Sequence, residues 1–112
     1  MTIYLAGPMT GIPGHNTPAF DAAEERLLAL GYTVVSPARM LRKNPDDTLR
    51  QHFSRDCQAI CESDLIVLLE GWERSPGVAV ELALAKYLGI PYGTLAEVLL
   101  AEKESPLISR TS

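Results

Sequence analysis

The chain is poor in the residues that build metal and redox sites, with two cysteines and two histidines among 112 residues. His15, His52, Cys57 and Cys61 do not make an adequate ligand set for zinc. The two cysteines stand four apart in helix-like sequence. They read as small buried apolar side chains in a reducing cytoplasm, not as a disulfide or metal pair. Long apolar runs are also missing: none approaches the roughly 20 residues that cross a bilayer, which excludes a membrane-spanning helix. Met1-Thr2-Ile3-Tyr4-Leu5-Ala6-Gly7 lacks a basic segment and enters strand-like sequence at once, so no secretory leader is expected. Net positive charge is absent too. A charge of −4 and a pI near 5.1 argue against a nucleic-acid polymer as partner.

What is present is a globular composition, 46% hydrophobic, and a length that closes one core. Residues 2–6 read as a buried strand that ends at Gly7-Pro8, and a Gly/Pro loop follows to residue 16. Thr17-Pro18 supplies a helix cap and a first-turn proline. Phe20, Ala23, Leu27 and Leu30 then repeat at helical spacing until Gly31. A second strand, 32–35, stops at Pro37, and a polar connection through Lys43–Asp47 leads to a helix over 48–62. Residues 64–69 form the clearest central strand, apolar on both faces as parallel sheets require. A loop at 70–75, a helix from Pro76, a short strand near 90–92 and a last helix over 95–103 complete the chain, with 104–112 as a tail. This alternation predicts a single-domain, doubly wound α/β fold, flavodoxin-like or Rossmann-like: a parallel sheet of four to five strands flanked by helices.

Three polar side chains stand out against that pattern. Glu81 is a lone carboxylate in an otherwise apolar helical run, and Lys86, five residues on, falls on another face. A buried carboxylate without a partner is costly, so Glu81 demands a reason. Asp56 sits on the apolar stripe of its helix with Leu49, Phe53, Cys57 and Ile60. It is either a site residue or a boundary acid capped by a backbone donor or paired with Arg50 or Arg55. Tyr4, in the first strand, reads as core or as a hydroxyl donor to a buried carboxylate. In open α/β folds ligands bind beyond the carboxyl ends of the strands. There the loop from Gly7, the loop from Glu70 and the helix start at Ser75-Pro76-Gly77 converge. The helix start is a natural anion site, or a plain cap. Two carboxylates and a tyrosine around it suggest glycosidic-bond chemistry without a metal or cofactor.

Ile3-Tyr4-Leu5-Ala6-Gly7-Pro8-Met9, Asp56 eight residues before Asp64-Leu65-Ile66-Val67, and Ser75-x-Gly77-x-x-x-Glu81-Leu82-Ala83 followed by Gly89-Ile90-Pro91 resemble the nucleoside 2-deoxyribosyltransferase superfamily. That superfamily includes the 2′-deoxynucleoside 5′-monophosphate N-glycosidases. The opening stretch is most similar to a branch found in phage and prophage genomes. The resemblance implies Glu81 as nucleophile, Asp56 as the acid that assists departure of the base, and Tyr4 as orienter of the nucleophile. Gly7, Pro8, Met9, Ser75 and Gly77 would bind substrate, with a serine at 75 favouring a 5′-phosphate. The monophosphate hydrolases carry an arginine in the first glycine loop, and residues 7–16 here have none; Thr10, His15 and Asn16 are the substitutes at hand.

The expected partner is a small-molecule nucleoside or nucleotide, with no polymer or membrane, and the expected assembly is a homodimer or larger. Hydrolysis against transfer, and nucleoside against monophosphate, stay open. So do two other readings: a non-catalytic nucleotide-binding module, and an interaction protein using Trp72 and the last helix. Trp72 fits a base-stacking lid or a subunit plug equally. Arg39, Arg42 and Lys43 read as a solvated basic face unless they lie at the mouth of the pocket.

Overall fold

The central strand alternates its side chains between two cores, and that alternation organises the molecule. In the computed structural model, which describes residues 1–104, β1 (Thr2–Ala6) sends Ile3 and Leu5 to one face and Tyr4 and Ala6 to the other. It lies between β2 (Thr33–Val35) and β3 (Leu65–Leu68), and β4 (Tyr92–Thr94) completes a four-stranded sheet of order β2-β1-β3-β4. Every pairing is parallel, with Tyr4 opposite Ile66 and Ala6 opposite Leu68. One face is covered by α1 (Thr17–Ala29) through Phe20, Ala23 and Leu27, and by α5 (Leu95–Glu104) through Val98. The other is covered by α3 (Leu49–Cys61) through Ile60, and by α4 (Pro76–Leu88) through Val78, Leu82 and Ala85. This is the doubly wound α/β arrangement expected from the sequence. The chain changes direction across the sheet between β1 and β3, which puts the ligand end of the fold at Gly7 and Leu69. Of the tail expected at 104–112, only Glu104 is among the described residues, as the last of α5.

Several local expectations are corrected. Pro37 does not merely stop a strand: it opens a short helix, α2 (Pro37–Lys43), in the first-turn position that suits its missing N–H. The basic cluster on α2 is solvated at Arg42 and Lys43, as expected, but it is not a free face. Arg39 pairs with Glu24 at 2.8 Å and Arg42 with Asp21 at 3.0 Å, tying α2 to α1. Thr17 is not the cap of α1. Its Oγ1 donates to Gly14 O at 2.6 Å, and the cap position falls to Asn16, whose amide donates instead to Pro8 O. Fourth-strand pairing begins at Tyr92, because Gly89 takes a left-handed φ of 73° and Ile90 N returns to Ala85 O at 2.9 Å, closing α4. Leu49 is exposed at the cavity wall and not on a buried stripe, and Cys61 is exposed at the end of the same helix while Cys57 is half-buried. The expectation of two buried thiols therefore fails for Cys61.

Gly7 is required by the close approach of the β1 and β3 ends. A Cβ there would lie 2.9 Å from Leu69 Cβ, an atom fixed to the backbone. Gly7→Ala is expected to destabilise the fold by about 1–3 kcal/mol, read as a lowered midpoint in thermal denaturation.

Candidate functional site

A cavity of about 860 Å³ opens beyond the carboxyl ends of β1 and β3. Two of the three segments expected to converge, the loop after β1 and the start of α4, line it, while the loop from Glu70 contributes only Arg74 and Ser75. The first turns of α3, with Pro37 and Leu41 of α2, form the rest of the wall. Gly7, Pro8, Met9, Asp56, Ser75, Gly77 and Glu81 all line it. Tyr4 is fully buried behind this wall and reaches the cavity through Glu81: its hydroxyl donates to Glu81 Oε2 at 2.5 Å. The even residues of β1 face α3 and α4, and Glu81 stands one turn into α4, so strand parity and helix phase bring the two side chains together. Glu81 is thus buried with a partner, at 5% exposure, not orphaned in an apolar helix.

Asp56, 4% exposed, faces the same cavity from α3. Neither Arg50 nor Arg55 takes it. Arg55 is held by Asp47 at 2.7 Å, and the basic side chain against Asp56 is His52, with Nε2 3.5 Å from Oδ2. Asp56 Oδ1 is buried with no hydrogen-bond partner, as is His52 Nδ1. Burial pushes Glu81 up to about 8, helped by the nearby Asp56 charge and opposed by the Tyr4 hydrogen bond. It pushes Asp56 up to about 7, and the same phenol tempers that rise although its hydrogen bond goes to Glu81. The Tyr4 phenol is itself raised by burial and by Glu81 beside it. The two carboxyls therefore titrate near neutrality as an interacting pair.

Ser75 is the cap of α4, accepting from Val78 N at 3.3 Å, with Pro76 next in sequence. Its hydroxyl proton is still free to be given to a ligand. Gly77 is not demanded by packing: a Cβ there would meet Phe53 and Ser75 at an ordinary 3.8 Å. Thr10 and His15 also line the cavity, whereas Asn16 is spent on Pro8. Trp72 is not in the cavity wall. It packs half-buried against the core shared by Tyr4 and Val78, so the aromatic side chain facing a ligand is Phe53.

Sequence reading missed Arg74, Arg50, His52 and Phe53 as wall residues. Arg74 lies in the turn after β3, and its guanidinium closes over Gly71. That residue has a φ of 88°, and a Cβ on it would meet Pro8 at 3.2 Å and Arg74 at 3.3 Å. Neither Arg74 nor Arg50 has an ion-pair partner among the described residues. His52 carried the one legible signal, its i,i+4 spacing to Asp56. Among the described residues there is no cluster of metal-binding side chains and no helix long and apolar enough to cross a membrane.

Among solved structures the chain is similar to a 2-deoxyribosyltransferase from the psychrotolerant bacterium Bacillus psychrosaccharolyticus. The TM-score is 0.63 at 26% identity, covering 84% of this chain and 71% of that one. Comparison with curated proteins gives no match. A family model described as a domain of unknown function, DUF4406, matches residues 1–93. That span holds β1 to β3, β4 up to Gly93 and every residue of the cavity wall, and the chain belongs to the DUF4406 family.

Proposed function

We propose that the protein cleaves or transfers the N-glycosidic bond of a 2′-deoxynucleoside or its 5′-monophosphate through a glycosyl-enzyme intermediate on Glu81. The observation that carries this is the pairing of two buried carboxyls in one cavity. One is held by a phenol on a single oxygen; the other has a bare oxygen turned to no protein group. Likeness to a 2-deoxyribosyltransferase supports the same chemistry.

In this reading Tyr4 fixes Glu81 Oε2 and leaves Oε1 to attack C1′. The C1′–N bond breaks with its electron pair going to the base, and Asp56 gives the base a proton. Water or a second base then attacks C1′, loses its proton to Asp56 and frees Glu81. The chemistry needs Glu81 ionised and Asp56 protonated, the reverse of the order in the empty cavity. The Tyr4 hydrogen bond favours the Glu81 anion, and positive charge developing on the sugar adds to it. A base nitrogen accepting from Asp56 holds the other proton in place.

Between nucleoside and monophosphate, the unpaired Arg74 beside the Ser75 hydroxyl and the start of α4 favours the monophosphate. It supplies the cation that the first glycine loop lacks. Arg74→Ala is expected to raise KM for a 5′-monophosphate about 10–100-fold and leave KM for the free nucleoside unchanged, measured by steady-state kinetics on both. We read the working form as a homo-oligomer, supported by Val80, Tyr87 and Leu88 exposed on α4.

The reading is tested by chromatography of 2′-deoxynucleosides and their 5′-monophosphates incubated with the protein, with and without a second base. Free base marks hydrolysis, and a new nucleoside or nucleotide formed only with added base marks transfer. Binding of nucleotide without either would reject the reading in favour of a nucleotide-binding module.

A further inference from the structure

We infer that His52 is a positioning residue for Asp56: its imidazole stands against one carboxyl oxygen, where it orients the acid and supports the carboxylate left when the proton goes to the base. The inference rests on the proposed glycosidic chemistry and extends it. His52 lies one turn before Asp56 on α3, and both side chains are in the cavity wall. The imidazole Nε2 is 3.5 Å from Oδ2, with the side chains 13% and 6% exposed. Among the described residues no other basic side chain is within ion-pair distance of Asp56. Arg55, its neighbour in sequence, is turned away and held by both oxygens of Asp47. The result is an asymmetric carboxyl, with Oδ2 against an imidazole and Oδ1 bare. A buried polar atom left without a protein partner calls for a ligand to satisfy it.

The groups that face His52 set its charge. Asp47 favours the imidazolium, while burial, Arg55 and His15 oppose it, and burial dominates, so the imidazole is held below its usual range and is neutral at pH 7. At 3.5 Å the two make no hydrogen bond in the unliganded protein, and a neutral imidazole with its proton on Nε2 becomes a donor to Oδ2 once they close by a few tenths of an ångström. As the C1′–N bond breaks and Asp56 gives up its proton, the carboxylate left behind is buried, and the Nε2–H is the donor placed to stabilise it. When water or an incoming base delivers a proton back to Asp56, the interaction relaxes. No proton leaves His52 in either half of the reaction.

The discriminating test uses a leaving group that needs no proton. Wild type, His52→Phe and His52→Gln are assayed on a purine 2′-deoxynucleoside 5′-monophosphate and on its N7-methylated form, whose cationic base departs neutral without protonation. The expected result is a kcat loss of about 10–100-fold in His52→Phe on the ordinary substrate. On the methylated substrate the variant stays within about threefold of wild type, and Gln, which keeps a donor, recovers most of the rate. Equal losses on both substrates, or none on either, would overturn the inference. A second readout needs no turnover: the Asp56 carboxyl is titrated by ¹³C NMR in the unliganded proteins. Its titration should move up in His52→Phe relative to wild type and to His52→Gln; no movement would also overturn the inference. Wild type inert on both substrates, with the titration shift present, would instead reject the glycosidic reading and leave the His52–Asp56 coupling standing.

Discussion

Glu81→Gln will lower turnover by at least about 10³-fold while the protein folds normally. The amide cannot form a glycosyl ester, yet it is the same size as the acid and still offers Tyr4 an oxygen to donate to. Alanine is the poorer test. An orphaned carboxylate could be deleted at little cost, but Glu81 accepts the Tyr4 hydroxyl at 2.5 Å. Truncation would leave that buried hydroxyl unpaired, a cost of about 1–3 kcal/mol, and open a hole where α4 meets β1. A lost rate in Glu81→Ala would mix chemistry with damage to the site. The comparison to make is steady-state base release by wild type and Glu81→Gln at equal folded concentration, with thermal denaturation as the check on folding. A Gln variant of near wild-type rate would remove Glu81 from the nucleophile role.

The same two carboxyls will make the protein less stable as pH rises from about 4 to about 8. Burial lifts Asp56 from the usual 3.8 to about 7 and Glu81 from 4.5 to about 8. Each group therefore binds its proton more tightly in the folded state than in the unfolded one. The stability this confers is fully present below the unfolded values and is lost as pH climbs through the folded ones. A rise of about three units in either group corresponds to on the order of 4 kcal/mol, a large share of the roughly 5–15 kcal/mol that holds a small domain together. Below pH 4 the sign reverses, because Asp47 and Glu97 are held under their usual values by Arg55 and by Thr94 and lose that stabilisation on protonation. Chemical denaturation at a series of pH values from 4 to 9 should give a stability that falls with pH. The fall should be visibly shallower in Glu81→Gln, which retains only Asp56 as a strongly raised group. His52, held below its usual range by burial, works in the opposite sense as pH rises. The slope of wild type against that of Glu81→Gln is therefore decisive: equal slopes would mean that Glu81 is not buried as described.

These groups were legible in the sequence because each breaks a strong local pattern. Glu81 interrupts an apolar helix and Asp56 interrupts an amphipathic one, so burial could be inferred from helical phase alone. The partner of Glu81 was legible only in part: residue type and strand position marked Tyr4 as core or as a donor to some buried carboxylate. The pairing with Glu81 in particular came from the family resemblance, because strand parity does not say which face of the sheet meets α4. The sheet order was within reach: runs apolar on both faces mark β1 and β3 as central. The parts that were not legible depend on close geometry that residue type does not encode. Pro37 has one meaning at a strand end and another at the start of a helix, and the six residues after it carry no periodicity strong enough to choose. Thr17 and Asn16 are both capping residues by type. The left-handed turn at Gly14, His15 and Asn16, with φ of 63°, 55° and 61°, decides which one occupies the position. Arg74 is a charged loop residue by sequence and enters the site only because Gly71 lets the two loops close on each other. Trp72, two positions earlier, points the other way into the core.

The central claim, a covalent sugar on Glu81, is tested most directly by mass spectrometry of the protein quenched during turnover of a 2′-deoxynucleoside 5′-monophosphate. The predicted result is an intact-mass increase equal to one deoxyribosyl phosphate, located on the peptide that contains Glu81 and absent from Glu81→Gln. An adduct on any other residue, or base release by Glu81→Gln at the wild-type rate with no adduct formed, would contradict it.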